Sequence, residues 1–146
     1  MAYSDMIAAI DTKVDEELGT DPGGAGYAVQ HDNEEMFDKP DDAVWLRSSV
    51  RNGESTNVAR GDGVEYRIPG NLIIQVFGPL GTDVADVNDA VDEVMSRFGH
   101  LRLSVGDSEG TVVRFQAPAP QPLGRVQGQY QVNVTVPFWA DFISNT

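Results

Sequence analysis

The chain has 146 residues, 40% of them hydrophobic, a formal net charge of −13 and no cysteine. This length fits one domain with a sizeable core, and the lack of cysteine excludes disulfides, thiolate metal sites and cysteine nucleophiles. No apolar run is long enough to span a bilayer, and the N-terminus lacks the basic and apolar regions of a secretory signal. These features favour a globular protein that is made and used inside the cell.

The negative charge is concentrated towards the start of the chain. Residues 1–42 contain twelve acids and two lysines, a net −10, whereas residues 43–146 contain eleven acids and eight arginines, a net −3. Proteins that grip nucleic acid carry clustered lysine and arginine, so this balance argues against such a protein. The acids either provide solubility or form a surface past which DNA moves without being held.

Two segments have the 3.6-residue period of amphipathic helices. The first helix is expected at Ser4–Leu18, with Ser4 as its N-cap, and the second at Val84–Phe98, with Thr82 as its cap and Asp83 behind it. Each helix therefore has an apolar face that must pack against another part of the protein. Their apolar stripes consist of Tyr3, Ile7, Ile10, Val14 and Leu18 in the first helix, and Val84, Val87, Val91, Val94, Met95 and Phe98 in the second.

Five segments have the composition or the alternation of β-strands. In chain order they are Val44–Val50, Leu72–Phe77, Leu101–Val105, Thr111–Ala117 and Gln129–Val136. The second is apolar at five of six positions, which indicates a central strand covered on both faces. The third and fourth flank a five-residue loop and are expected to form a hairpin. Pro69-Gly70 is expected to interrupt the chain ahead of the second strand.

Three connecting segments stand out. The segment 20–42 reads as a long acidic loop, in which Met36 and Phe37 pin the chain to the body of the domain or to a neighbour. The polar segment 51–63, rich in Gly and Asn, is expected to form a long arm or a β-extension between two strands. The Pro-rich segment 118–124 is expected to be a stiff connector, because proline cannot occupy a central strand.

These elements predict a two-layer α+β fold with the order α-β-β-α-β-β-β. We expect a mainly antiparallel or mixed sheet of about five strands, with both helices packed on one face. The whole chain, residues 1–146, would form a single domain, from which the acidic loop 20–42 and the arm 51–63 depart.

No arrangement of residues typical of an enzyme is present. His31 and His100 lie in a loop and just after a helix, where we expect both to be exposed rather than to act as bases. The turn that precedes the second helix lacks the lysine of a phosphate loop and is followed by Asp83. The acids do not have EF-hand spacing, and nothing selects a catalytic pair among 23 of them. We therefore expect no catalysis, no cofactor and no dedicated metal site.

Seven arginines gather around the expected strands and the arm. They are Arg47, Arg51, Arg60, Arg67, Arg102, Arg114 and Arg125. Set against the acidic first third of the chain, they suggest charge pairing between subunits. Salt bridges within one chain are the alternative.

The order of elements resembles that of the tail terminator proteins of long-tailed, siphovirus-like bacteriophages. The resemblance rests on the first helix, the acidic loop, Trp45-Leu46-Arg47 in the first strand, the polar arm, and the stretch R-x-x-G-x-L-I-I-Q-V-F-G-P-L-G-T from Arg67 to Thr82. It continues through the second helix, the hairpin, the connector and the late alternating strand. Two features depart from the pattern: Pro69, and the length and acidity of the loop 20–42.

This resemblance implies a structural virion protein that forms a ring, typically a hexamer. Such a ring binds the last ring of the tail tube, stops its polymerisation and offers its other face to the head-completion or neck protein, while DNA passes through the lumen without sequence-specific binding. It implies assembly in the host cytoplasm, a place at the head-proximal end of the tail and no membrane association. We expect the interface to involve Arg47, Arg51, Arg60, Arg67, Met36 and Phe37.

Two other classes of protein stay compatible with the sequence. One is a different head–tail connector or neck component, or a tail-tube subunit, which would share the ring and the lumen. Tube proteins are β-sandwiches, so two strong helices argue against a tube subunit. The other is a small α+β enzyme or ligand-binding domain, against which the missing motifs count.

Overall fold

The structure, a computed structural model, describes residues 3–32, 34, 37–54, 56–57, 64–105 and 111–143. In this part of the chain two α-helices and eight β-strands are present, so the predicted α+β class is confirmed. The elements are α1 Tyr3–Leu18, β1 Ala28–Gln30, β2 Trp45–Asn52, β3 Thr56–Asn57, β4 Val64–Gly78, α2 Val84–Phe98, β5 Arg102–Ser104, β6 Thr111–Phe115, β7 Ala119–Val126 and β8 Gln129–Ile143.

Helix α1 has nearly the predicted bounds, but its start and its buried face differ from the prediction. The helix already includes Tyr3, so Ser4 lies inside it and is not its N-cap. Tyr3 is 49% exposed, and the buried stripe begins with Met6 rather than Ile7. The buried residues recur every fourth position, which keeps them on one side of the helix. They are Met6, Ile10, Val14 and Leu18.

Helix α2 has the predicted bounds, but its cap is one residue later than predicted. Asp83, not Thr82, has the extended backbone of an N-cap, and its side chain accepts a hydrogen bond from the Ala85 N–H at 3.1 Å. Arg97 lies in the last turn, where a cation complements the helix dipole. The helix ends at Phe98. Its buried residues are Val87, Ala90, Val91, Val94 and Phe98.

The eight strands found in the described residues form one mixed sheet in the order β1-β2-β4-β8-β6-β5, with β3 paired to β4 and β7 paired to β8. Only β1 and β2 run parallel; the other pairs are antiparallel. The prediction of about five strands was therefore too low. The three additional strands lie in the segments predicted to be a loop (β1), an arm or β-extension (β3) and a connector (β7).

The two longest strands, β4 and β8, pair along almost their whole length, from Val64 to Gly78 on β4. Pro69 does not interrupt β4, contrary to the prediction. Its carbonyl accepts a hydrogen bond from the Gly53 N–H at 2.8 Å, on the side of β2. The amide nitrogen and carbonyl of one strand residue point to the same side, so the missing N–H of Pro69 faces the end of β2. The ladder between β4 and β8 consequently loses no hydrogen bond at this position.

One continuous apolar core joins the sheet to the helices. Alternate residues of β4 and β8 are buried in it, as the two-residue period of strands requires. They are Leu72, Ile74 and Val76 on β4, and Val132, Val134 and Val136 on β8. Helix α2 packs against both strands, and α1 contacts α2 and β2. At Gly78 a side chain would lie 2.5 Å from Cγ2 of Val87, so α2 approaches the end of β4 closely enough to require glycine.

Strand β7 forms an exposed edge of the sheet, joined to β8 by a two-residue turn. The turn residues Gln127 and Gly128 both have positive φ, 51° and 79°, as tight hairpin turns require. Pro120 and Pro122 lie on β7 opposite residues of β8. The Pro-rich segment therefore forms a strand, but an edge strand, which is where proline is tolerated.

We expect Gly78→Ala to lower the free energy of unfolding by about 1–3 kcal/mol, because the new methyl group would force α2 away from β4. Gly53→Ala is the matched control, since its nearest neighbour would be 3.5 Å away and its effect should stay within about 0.5 kcal/mol. Urea unfolding followed by circular dichroism measures both. Equal effects of the two substitutions would contradict the close packing of α2 at Gly78.

Candidate functional site

The residues that alternate with the core residues form a second surface of the sheet, which we call the outer sheet face. It combines aromatic rings, arginines and side-chain amides. Its members, as defined by the strand registers, are Trp45, Arg47, Ser49 and Arg51 on β2; Arg67, Pro69, Asn71, Ile73, Gln75 and Phe77 on β4; and Gln131, Asn133, Thr135, Pro137, Trp139 and Asp141 on β8. A sheet face of this composition is suited to contact with other molecules.

At one end of the outer sheet face, aromatic rings pack around an arginine. Trp45 stacks on Phe77 with ring centroids 4.3 Å apart, and Phe37 lies 5.5 Å from Trp45. The guanidinium carbon of Arg47 lies 5.6 Å and 5.2 Å from the Trp45 and Phe77 ring centroids. The Trp45 indole N–H donates to Gln129 Oε1 at 3.0 Å. Phe37 thereby attaches the segment 20–42 to the body of its own chain, beside a cavity of about 350 Å³.

Towards the other end, Arg67 makes the most enclosed ion pair of the described residues. Its Nε and Nη2 donate to the two carboxylate oxygens of Asp141, at 2.6 Å and 3.1 Å. The Asp141 side chain is only 11% exposed. The same guanidinium lies 4.6 Å from the Trp139 ring centroid. The hydrogen bonds that Arg67 donates to Asp141 raise the pKa of Arg67, so the guanidinium stays charged.

A second set of polar contacts ties the acidic segment 20–42 to the sheet. Asp32 accepts hydrogen bonds from the Ser49 hydroxyl at 3.0 Å and from Arg51 Nη1 at 3.2 Å. Arg47 Nε donates to Gln30 Oε1 at 3.0 Å. These three contacts hold Gln30 of β1, and Asp32 two residues after it, against β2.

His31 ties the same segment to helix α1. Its Nε2 lies 2.7 Å from Asp15 Oδ1, and its Nδ1 lies 3.6 Å from Asp11 Oδ1. The carboxylates of Asp11 and Asp15 raise its pKa from 6.5 to about 9, against the opposing effect of burial. The expectation that His31 is exposed was therefore wrong, whereas His100 is exposed as predicted.

Acidic residues surround Tyr27 beside α2. A shallow cavity there is lined by Tyr27, Asp42, Asp86 and Asp89, among others. Burial raises the pKa of the Tyr27 phenol, and the nearby Glu93, Asp89 and Asp86 raise it further. This corner of the domain is strongly negative.

The structure brings the predicted interface residues together only in part. Arg47, Arg51 and Arg67 all lie on the outer sheet face, but along its length and not in one cluster. Two of them, Arg51 and Arg67, pair with acids of their own chain. Phe37 joins the aromatic cluster with Trp45, and Met36 and Arg60 lie outside the described residues.

Sequence reasoning missed Trp139 and Asp141, because β8 was predicted to end at Val136. The signal was present in the sequence. Beyond Pro137 the alternation of β8 continues, with Phe138, Ala140 and Phe142 buried. The two missed residues occupy the alternate positions on the outer sheet face.

The part of the chain that the structure describes contains no cluster of metal-ligating side chains. No group of three His, Asp or Glu side chains there could hold a metal ion. Among the same residues, no helix is long and apolar enough to cross a membrane. What the described surface offers is charge, amides and aromatic rings.

A sequence-family comparison decides between the classes of protein left open above. The family model described as phage tail terminator protein matches residues 5–138, nearly the whole chain. The chain belongs to the phage tail terminator family. The resemblance noted in the sequence is thus confirmed, and the protein is a structural component of a phage tail and virion.

Two solved structures share the fold of this tail terminator family member over nearly their full length. One is 21% identical, with a TM-score of 0.69, and the match covers 100% of this chain and 99% of that chain. The other, from the virion of a native gene transfer agent particle, is 14% identical, with a TM-score of 0.55 and coverage of 98% and 100%. At these identities the similarity establishes the fold. No curated protein sequence matches the chain.

The raised pKa of His31 gives a pH dependence of stability with a definite sign. Since the folded pKa, about 9, exceeds the unfolded value of 6.5, the stabilisation is full below pH 6.5 and is lost as the pH rises through 9. Because its acidic partners are partly exposed, we expect a loss of about 1–2 kcal/mol over this range, relative to His31→Gln. Urea unfolding at several pH values measures it. His100→Gln is the control and should behave as wild type; an identical pH profile for His31→Gln would contradict the ion pair.

The ion pairs Arg67–Asp141 and Arg51–Asp32 differ in solvent exposure, so we expect their loss to lower the free energy of unfolding by different amounts. Arg67→Ala leaves the enclosed Asp141 carboxylate without its partner and should cost about 2 kcal/mol of unfolding free energy. Arg51→Ala breaks a pair whose side chains are both at least half exposed and should cost less than about 1 kcal/mol. Chemical denaturation at pH 7 compares them. A larger loss for Arg51→Ala would show that the enclosed pair is not the stronger one.

Proposed function

We propose that this protein forms a ring, a hexamer, that caps the head-proximal end of the tail tube and stops its polymerisation. The family match over residues 5–138 is the observation that carries this proposal. The other face of the ring would provide the joining surface for the head-completion or neck protein. Assembly takes place in the host cytoplasm, and the protein performs no catalysis and needs no cofactor.

Capping a tube is a problem of surface matching. A tube of stacked rings grows as long as each ring presents a surface that fits the next ring. A terminator must fit the last tube ring on one side and lack that fit on the other. A subunit with chemically different ends meets this requirement. The charged and aromatic residues of the outer sheet face and the acidic corner around Tyr27 supply such a difference.

The subunit acts in this proposal as a single domain, residues 1–146, with both helices on one face of the sheet. This arrangement is supported by the apolar core, which contains residues of both α1 and α2 together with alternate residues of β4 and β8. The outer sheet face then stays available for neighbours, together with the loop 20–42 and the arm 51–63. Arg47, Arg51, Arg60, Arg67, Met36 and Phe37 are the residues that we assign to these contacts.

The net charge is consistent with DNA passing through the ring. Six copies would carry about −78, six times −13. A lumen with an excess of carboxylates repels phosphate, so DNA would pass without being bound. Sequence-specific contact with DNA is not part of this proposal.

Replacing residues 54–63 with a Gly/Ser segment of the same length should give a folded subunit that cannot cap tails. The replacement preserves β2, which ends at Asn52, and β4, which begins at Val64. Electron microscopy of lysates from a phage lacking the native gene, complemented by the variant, should show overlong tails. Circular dichroism checks the fold.

A Gly/Ser replacement of the segment 106–110, to which we assign no contact, is the control and should restore normal tail lengths. Normal tails with the arm variant would contradict the role of the arm. Failure of the wild-type protein to restore normal tails would contradict the terminator function itself.

A further inference from the structure

An exposed apolar tip lies at the corner where β4 meets α2. Leu80 is 73% exposed, more than any other large hydrophobic residue described, and Val84 is 45% exposed. Three aspartates are exposed beside them: Asp83, which is the N-cap of α2, and Asp86 and Asp89, which lie in its first two turns. We call these five residues the knob. An apolar centre with a charged rim is the usual composition of a protein contact surface.

A groove of about 620 Å³ lies on the outer sheet face, towards the other end of β4. Its apolar lining includes Pro69 from β4 and Pro137 and Trp139 from β8. Its size suits a leucine side chain together with the neighbouring turn.

Two arginines without acidic partners lie beside this groove. Arg114 is opposite Trp139 in the register of β6 and β8, and opposite Arg102 in the register of β5 and β6. Both arginines are exposed, and among the described residues no carboxylate pairs with either. Like charges directly opposite each other destabilise a strand pair. An acidic partner from outside the chain would relieve this repulsion.

The knob and the groove lie at opposite ends of one strand. Pro69 and Gly78 are nine residues apart on β4, roughly 30 Å at about 3.3 Å per residue. Two different patches so far apart cannot meet within one subunit. Between copies they form a head-to-tail contact, which generates a ring when the rotation closes.

We propose that the knob of one subunit docks in the groove of the next copy of this chain. Leu80 packs against Trp139, and the aspartates of the knob face Arg102 and Arg114. This inference rests on the ring proposed above and identifies the contact that builds it.

A nucleic acid is the other partner that could neutralise the two arginines. The groove argues against it, because a phosphate backbone has no apolar side chain to fill a site lined by Pro69, Pro137 and Trp139. The described chain also supplies a complementary surface of its own, since no cation of the described residues pairs with Asp86 or Asp89. A second copy of the chain therefore offers both the carboxylates that would pair with the two arginines and the apolar side chain that would fill the groove.

The first test compares two exposed leucines. Leu80→Glu places a charge in the groove and should weaken self-association at least tenfold, measured by light scattering, and should fail to restore normal tail lengths. Leu123→Glu, on β7 and 42% exposed, is the matched control and should behave as wild type. Urea unfolding should show that both variants are folded. Equal behaviour of the two variants would overturn the proposed contact.

The second test exchanges the charges. One variant carries Arg102→Glu and Arg114→Glu, and the other carries Asp86→Lys and Asp89→Lys. Each variant alone would place like charges at every contact and should not assemble. An equimolar mixture alternates the two variants around a ring of even number, so every contact pairs opposite charges and assembly is restored. Co-expression in the complemented phage should likewise restore normal tail lengths.

The outcomes separate this contact from the function that it serves. Recovery in the mixture supports the contact. Variants that assemble or cap tails alone overturn it and leave the terminator function standing, since the wild-type protein still caps tails. Arginine variants that assemble normally but lose binding to duplex DNA overturn it in favour of a nucleic-acid partner. Wild-type protein that leaves tails overlong overturns the terminator function and, with it, this contact.

Discussion

The antiparallel pairing of β4 with β8 is the constraint on which the rest of the structure depends. Each strand has fifteen residues, about 50 Å at about 3.3 Å per residue, and their registers match along nearly the full length. Because strand residues alternate between faces, this register assigns the side chains of Arg67–Phe77 on β4 and of Gln131–Phe142 on β8 to the core or to the outer sheet face. All other strands except β1 and β5 pair directly with one of these two.

The edge that carries β1 depends on polar contacts more than on apolar packing. Strand β1 has three residues, and none of them is fully buried. Asp32 and His31, which follow it, bind Arg51 and Asp15, so charges from β2 and α1 hold the segment in place. The acidic segment 20–42 is thus attached to the domain by Asp32 and His31, in addition to the contact of Phe37 with Trp45. Its other described carboxylates, those of Asp21, Glu34, Asp38, Asp41 and Asp42, are exposed, and they give this side of the subunit its negative charge.

The sequence predicts those parts of the fold that rest on long repeating patterns. Both helices and the strands β2, β4, β6 and β8 have enough residues to show a period of 3.6 or 2, and they were predicted, although β4 begins before and β8 ends after the predicted bounds. The three-residue β5 was predicted from the composition of the segment 106–110, which was expected to form a hairpin loop. Strands β1 and β3 have three and two residues, too few for a period, and β7 was obscured by its prolines. Pro69 was wrongly predicted to break the strand. The proline is tolerated because its missing N–H faces the end of β2, and the sequence alone does not show which side of the strand it faces.

The surface contacts were harder to foresee than the fold. The ion pair of Arg67 with Asp141 joins residues 74 positions apart, and no local pattern encodes it. Predicting it requires the register of β4 and β8, which in turn requires the full length of β8. Likewise, the pairing of His31 with two acids follows from the return of β1 towards α1. In contrast, the family was recognisable from the order of elements together with the residue pattern from Arg67 to Thr82, because both can be read along the chain without knowing which strands pair.

The prolines of β7 have a consequence for how copies of this chain meet. Pro120 and Pro122 remove N–H donors from an exposed strand, so a strand of another molecule cannot extend the sheet there. Newly made subunits at high local concentration are therefore steered away from open-ended fibres. Copies must instead associate through side-chain contacts between complementary surfaces. Such a contact is complete once each surface has one partner, and it can dissociate. A particle that needs a fixed, small number of copies at one place benefits from this restriction before any partner is met.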